Sequence, residues 1–328
     1  MTYEELYSLF LDRELEEVII KGEIYSLKHP EDTNALLLQA VAHHDNAMQD
    51  NDHEEGYQAI QDHIIPILRK AISIEPNDSK LLYNFLSYPL GNEFNLMQVA
   101  RLQKHITEDN KAEFIEYATR LSQIEHYEIY GFDFLVKIYE SLQDDPQQLI
   151  ALDQLLNHIQ NGFTYNRELR DTNYSVAWPK KIFLLDRTKF VSGEELTQQI
   201  EEGLAKFDSS HNYIFLDFAD IAKENNRLDL ALKILLKWIY GEAVEGFYNE
   251  RLQSWYQLFK TEFNNGFRHP QYSDFILTIE RFQAQNLGIN EDQYYQTALE
   301  LEKTLPADFY IFFYKAVYLY EQERFEEA

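Results

Sequence analysis

The chain has 328 residues, no cysteine, and 56 Asp and Glu against 29 Lys and Arg, a formal net charge of -27. That field excludes general capture of nucleic acid phosphates or anionic lipid and favours basic protein partners, and the missing thiols exclude a disulfide framework and thiolate chemistry. Only 11 Gly and 8 Pro punctuate the backbone while 22 Phe and 23 Tyr are present, so long helices with large side chains between them are expected.

The N-terminus, MTYEELYSLFLDRELEEV, carries acids where a secretory leader needs a basic start and an apolar run. No stretch approaches the roughly 18 apolar residues of a membrane helix. A soluble, cytoplasmic protein is expected. Thr2–Asp12 and Glu14–Leu27 are predicted helices, the second with Leu15, Val18, Ile19 and Ile24 inward and Pro30 beyond its end. Leu36 and Ala40 stand six and ten residues after Pro30, and Leu82 and Leu86 stand at the same offsets after Pro76. Between them lie Thr33–Met48, the polar run QDNDHEEG and Tyr57–Ile74. Ser79–Ile106 is irregular, because Tyr88-Pro89-Leu90-Gly91-Asn92 is expected to break its first helix. Lys111–Glu125, Tyr130–Leu142 and Pro146–Ile159 are amphipathic helices.

From Asn161 to Ser192 the texture becomes basic and aromatic, with Arg167, Arg170, Lys180, Lys181, Arg187 and Lys189 among Phe163, Tyr165, Tyr174, Trp178, Phe183 and Phe190. The segment is expected to be partly loop and to separate two arrays, 1–160 and 193–328. Helical order resumes at a capping box, Ser192-x-x-Glu195, and Glu195–Phe207 follows. Asn212–Tyr240 reads as a complete helical hairpin, its Ala219 and Ala231 twelve residues apart and Leu228 where the last unit has Phe325. Phe247–Phe263 and Gln271–Gln285 form a less regular pair. Glu291–Thr304 is stopped by Pro306, and a second helix places Phe309, Phe312, Phe313, Ala316 and Leu319 on one side. Phe312 and Ala316 fall at the offsets from Pro306 already seen twice, and Ala316 and Ala328 are again twelve apart.

Helix, proline stop, helix with a small residue at its middle, turn, aromatic, alanine: this pattern resembles a tetratricopeptide repeat. The resemblance covers the chain in texture and about a third of it in motif detail. It implies an all-α, right-handed superhelical array of antiparallel hairpins (an α-solenoid) whose first helices line a concave groove. On that analogy Tyr213, Leu216, Asp220 and Lys223 face the groove in one unit, and Tyr310, Phe313, Val317 and Tyr320 in the last. The implied function is non-catalytic capture of a basic or apolar segment of another protein, as a scaffold, a chaperone or an inhibitor such as an immunity protein. Family members that clamp a terminal carboxylate use Lys, Arg and Asn on these faces, which this sequence mostly lacks. The chain stops just as a helix begins at Glu326–Ala328, so truncation, or a partner over that end, is expected.

Two other chemistries are weighed against this. His43, His44 and Asp45 with Asp50, Asp52, His53, Glu54 and Glu55 supply metal-ligand types, but adjacent histidines diverge by about 100° on a helix and no His-Glu-x-x-His spacing is present. A solvated acidic insertion is the plainer reading, and a metal-dependent enzyme is the alternative. Arg167–Lys189 has the basic and aromatic content of a single-strand nucleic acid surface, against internal pairing with the chain's own acids. No glycine-rich phosphate loop and no nucleophile elbow are present, so no catalytic residue, cofactor or metal is assigned.

Overall fold

The structure is a computed structural model that describes residues 1–47, 58–91, 106–161, 167–205, 214–241, 250–287, 292–324 and 326–327, with 161 and 167–175 described by backbone alone. Among the described residues every element is helical: sixteen α-helices and one π-helical turn. The chain divides into two compact units, Met1–Leu184 and Leu185–Ala328. The first holds α1 (Tyr3–Leu11), α2 (Leu15–Lys28), α3 (Thr33–Ala47), the π turn Ile60–Ile64 with α4 (Ile65–Ile74), α5 (Ser79–Leu90), α6 (Lys111–Leu121), α7 (Glu128–Ser141) and α8 (Asp145–Asn161). The division falls inside α9 (Arg167–Thr188). The second unit holds α10 (Gly193–Leu204), α11 (Ile214–Glu224), α12 (Leu228–Gly241), α13 (Glu250–Asn264), α14 (Tyr272–Leu287), α15 (Gln293–Glu302) and α16 (Phe309–Glu321).

Consecutive helices pack on one another from α1 through α8, from α10 through α12 and from α13 through α16. Second neighbours also touch: α1 on α3 and α5 on α7 in the first unit, and α10 on α12, α12 on α14 and α14 on α16 in the second. Contact with the next helix and the next but one is what stacked hairpins produce. Buried residues explain the order locally. The α11 helix buries Phe215, Leu216, Phe218, Ala219, Ile221 and Ala222, while α12 is apolar almost all round and buries both flanks. Ala219 and Ala231 both have no exposed surface, where small side chains let helices approach closely.

Two turn types repeat, and each has a backbone cause. The three prolines in register open one of them. In His29–Asp32, Glu75–Asp78 and Leu305–Asp308, the Asp amide donates to the carbonyl three residues back at 3.2 Å. The Asp carboxylate then caps the next helix: Asp32 accepts from the Ala35 amide at 3.1 Å, Asp78 from Leu81 at 2.9 Å and Asp308 from Tyr310 at 2.9 Å. Pro-x-Asp is therefore the working unit, and the aspartate is the half of it that the proline register alone did not reveal.

The second type closes α1, α7, α11, α13 and α16. Arg13 (φ 61), Gln143 (φ 55), Asn226 (φ 59), Gly266 (φ 104) and Glu323 (φ 57) are left-handed. The amides of the residues after them, Glu14, Asp144, Arg227, Phe267 and Arg324, reach back five residues at 2.8–3.0 Å. This is the Schellman closure, which ordinarily takes glycine. Only one of the five positions has it.

Several local expectations are corrected. Ile24 points outward, not inward. The helix expected to break within Tyr88–Asn92 does end there: Pro89 lies inside the last turn of α5, and Gly91, with φ 69, closes it. Of the segment Asn161–Ser192, expected to be partly loop, Arg167–Thr188 is a helix containing Pro179, and 162–166 lie outside the described residues. The π turn was unforeseen. Its cause is Pro66, which has no amide to give the carbonyl four residues earlier; the Ile65 amide bonds Ile60 in a five-residue step. Phe325, Ala328 and the polar run after Ala47 lie outside the described residues.

Candidate functional site

The α16 helix is built to present two different faces. Asp308 fixes its start: one carboxylate oxygen accepts the Tyr310 and Ile311 amides at 2.9 and 3.4 Å, the other the Ser273 hydroxyl at 2.7 Å. The inner face buries Ile311, Tyr314, Tyr318 and Leu319. Tyr314 bonds Thr278 and stands 3.5 Å from Asp274 on α14, while Tyr318 donates to Asp292 and stacks on Tyr295 at 4.4 Å. These hydroxyls give buried rings polar anchors, so the roll angle of the helix is set.

The outer face then has no freedom to turn away. Phe309 is 71% exposed, Tyr320 67%, and Phe312 and Phe313 about half. Phe309, Phe313, Ala316 and Tyr320 follow i, i+4, i+7, i+11 spacing, one stripe along the helix. Phe309 and Phe313 stack at 6.2 Å, and the Lys315 ammonium sits 5.8 Å over the Phe312 ring while pairing with Glu302 at 2.8 Å. At the N-terminal end the stripe meets a cleft of about 490 Å³ whose lining includes Pro270, Leu305, Pro306, Asp308, Phe309 and Tyr310. An apolar floor with one carboxylate at its edge suits an apolar or cationic segment.

The proline register shows what kind of face this is. Leu36 and Ala40 on α3, and Leu82 and Leu86 on α5, are buried in helices that pack against those following them. Their equivalents on α16, Phe312 and Ala316, are half-exposed and partly exposed. Ala316 of the stripe, and Phe312 beside it, thus occupy the register positions at which the two other hairpins are buried.

The residues expected to line a groove fall into three groups. Phe313 and Tyr320 lie on the exposed stripe, with half-buried Tyr310 and Val317 along its margin. On α11 the expected set is split between the core and contacts to a later helix, with Lys223 still exposed. Leu216 is 0% exposed and belongs to the core; Asp220 and Asp217 share Arg251 of α13 at 2.5 and 2.8 Å; the Lys223 ammonium lies 5.4 Å over the Trp255 ring. That spacing on α11 is a stacking face sewn to α13. Tyr213 lies outside the described residues. Phe309 was overlooked as a surface residue; its i, i+4 relation to Phe313 and i, i+11 relation to Tyr320 was the available signal.

The histidine cluster resolves into aromatic packing. The His43 ring stacks on His63 at 4.6 Å, and burial followed by the His63 charge pushes its pKa below the ordinary value. His44 lies 4.6 Å from Tyr88 and 3.3 Å from Asp45, which also pairs with Arg13 at 3.2 Å. Among the described residues no group of three or more His, Asp and Glu is arranged to hold a metal ion; Asp50, Asp52, His53, Glu54 and Glu55 lie outside them. In the basic segment, Lys180 pairs with Glu140 at 2.6 Å, Lys181 with Asp153 at 2.7 Å and Lys189 with Asp186 at 2.6 Å. Those cations are spent on the chain's own acids.

Among the described residues no helix is long and apolar enough to cross a membrane. No protein-family model matches the chain, and no curated protein matches its sequence.

Proposed function

We propose that the protein is a non-catalytic binding module in which the α16 stripe and the adjoining cleft take an apolar or basic segment of another protein. The finer architecture belongs to the same proposal: a tetratricopeptide-like array, right-handed, working in the cytoplasm. The observation that carries the reading is the row of exposed Phe309, Phe313 and Tyr320 on a helix whose inner face is anchored by buried tyrosine hydroxyls. Rigid aromatic side chains lose little entropy on contact and dominate interface energetics. The charge of -27 supplies long-range attraction for a basic partner. Scaffold, chaperone and inhibitor of a basic protein would all use such a face.

The test compares capture from the source-cell lysate by the native chain and by the Phe309→Ala/Phe313→Ala/Tyr320→Ala variant at low salt. A protein retained by the first and absent from the second is the expected result. Identical retention by both would remove this face from the proposal.

A further inference from the structure

A second apolar surface lies at the other end of the chain, on α2. Ile20 is 61% exposed, Ile24 51% and Leu27 83%. Their i, i+4, i+7 spacing makes one stripe. The buried residues of the same helix, Leu15, Val18, Gly22, Tyr25 and Ser26, point the opposite way, into the contacts with α1 and α3. An amphipathic surface helix needs one apolar face; this one has two.

The charges beside the stripe say what fits it. With Ile20 and Leu27 at d and Ile24 at a of a heptad, Glu16 and Glu23 fall at g, and Lys21 and Lys28 at e. In a parallel pair of such helices each g residue meets the e residue five places on in the partner. Glu16 then meets Lys21, and Glu23 meets Lys28, in both directions about the two-fold axis. In an antiparallel pair e meets e and g meets g, so lysines face lysines and glutamates face glutamates. Ile24 at a followed by Leu27 at d also favours two strands. Glu17, at the preceding a position, forms an ion pair with Lys21 of its own helix, which limits repulsion between the two copies at that edge.

We propose that α2 docks in parallel on α2 of a second copy of this chain, through Ile20, Ile24 and Leu27 with Glu23 and Lys28 setting the orientation. A seam of two heptads is small, below the roughly 1,200 Å² of a standard interface, so the dimer is concentration-dependent.

The chain has no cysteine, so a single introduced thiol is a clean reporter. In the parallel pair residue 27 faces itself within disulfide reach. Mild oxidation of Leu27→Cys should therefore give a covalent dimer. Adding Glu23→Lys should weaken association by roughly tenfold, and Glu23→Lys/Lys28→Glu should restore it. Leu27 is mostly solvent-exposed, and circular dichroism should show unchanged helicity. Cross-linking between mixed Ile24→Cys and Leu27→Cys chains, with none of Leu27→Cys to itself, would mean an antiparallel pair, in which a faces d, and overturn the proposal. So would a sedimentation coefficient for the native chain that stays monomeric at every loading, or cross-linking indifferent to the charge reversal. Capture by α2 of a basic amphipathic peptide in place of the second copy would overturn it equally.

Discussion

The left-handed residues that close the hairpins are the clearest single-residue expression of the fold. Outside glycine, that conformation brings Cβ against a carbonyl, at roughly 1–2 kcal/mol, yet Arg13, Gln143 and Glu323 adopt it. Gln143→Gly and Glu323→Gly should each raise stability by about 0.5–1 kcal/mol, the gain being trimmed by glycine's freer unfolded state. Asn226→Gly should change little, because Asn tolerates this region. At Gly266 an added Cβ would meet nothing within 4 Å, so Gly266→Ala isolates the backbone strain and should lose about 1 kcal/mol. Urea midpoints at constant m-value test the series; a uniform response across the positions would refute the strain argument.

Asp274 offers a pH-dependent counterpart. Its carboxylate is buried on α14, with one oxygen bonded by the hydroxyls of Tyr240 and Tyr314 and the other without a partner among the described residues. Burial raises its pKa above the ordinary value. The folded state therefore takes up its proton before the unfolded state does as pH falls. The sign follows: this group opposes folding at neutral pH, and stability improves as pH drops toward the ordinary carboxylate value near 4. Asp274→Asn should raise the Tm at neutral pH and flatten its slope over the weakly acidic range. An unchanged slope would show that another group is responsible.

At the scale of elements, legibility varied for physical reasons. Helix existence was legible nearly throughout, because apolar spacing and the proline register are local signals. The second helical half of the Asn212–Tyr240 hairpin and the cap at Ser192 needed nothing beyond sequence. The π turn was not legible, since Pro66 has an ordinary place in the first turn of a helix and only the lost carbonyl partner converts it to a bulge. The α9 helix was hidden by composition: basic and aromatic residues suggested loop, but Lys180 and Lys181 are drawn to Glu140 and Asp153, acids on two other helices far away in sequence. Lys180→Glu/Lys181→Glu should accordingly lower stability by roughly 1–2 kcal/mol, and the paired Met variant by less. A nucleic acid role predicts instead a stable variant that loses retention on single-stranded DNA. The two outcomes separate cleanly.

At the scale of the whole molecule, which of the expected surface residues stand exposed was legible only for the last helix. Sequence placed Phe313 and Tyr320 on a surface helix but drew the same inference for α11, where Leu216 is buried and Asp220 and Lys223, though still part-exposed, are engaged by Arg251 and Trp255. Engagement by a later helix is a tertiary fact that no spacing rule within one helix contains. Because the aromatic stripe is solvent-facing, Phe309→Ala should leave stability within about 0.5 kcal/mol. The triple alanine variant should lose partner affinity by tenfold or more. Binding should also fall as salt rises, since at about 0.15 M the Debye length is only about 8 Å; salt-independent binding would assign the contact to the aromatic stripe alone.

The pattern of contacts has a mechanical corollary. Among the described residues the main helix contacts of each unit run to the next helix and, in several places, to the one after. Tension applied to the chain would work on terminal hairpins, peeling them off one at a time at the Pro-x-Asp junctions. Extension would proceed as a staircase, each step releasing two helices and leaving the remainder folded. Stacked hairpins of this kind would yield gradually under load and refold from whatever portion is still folded.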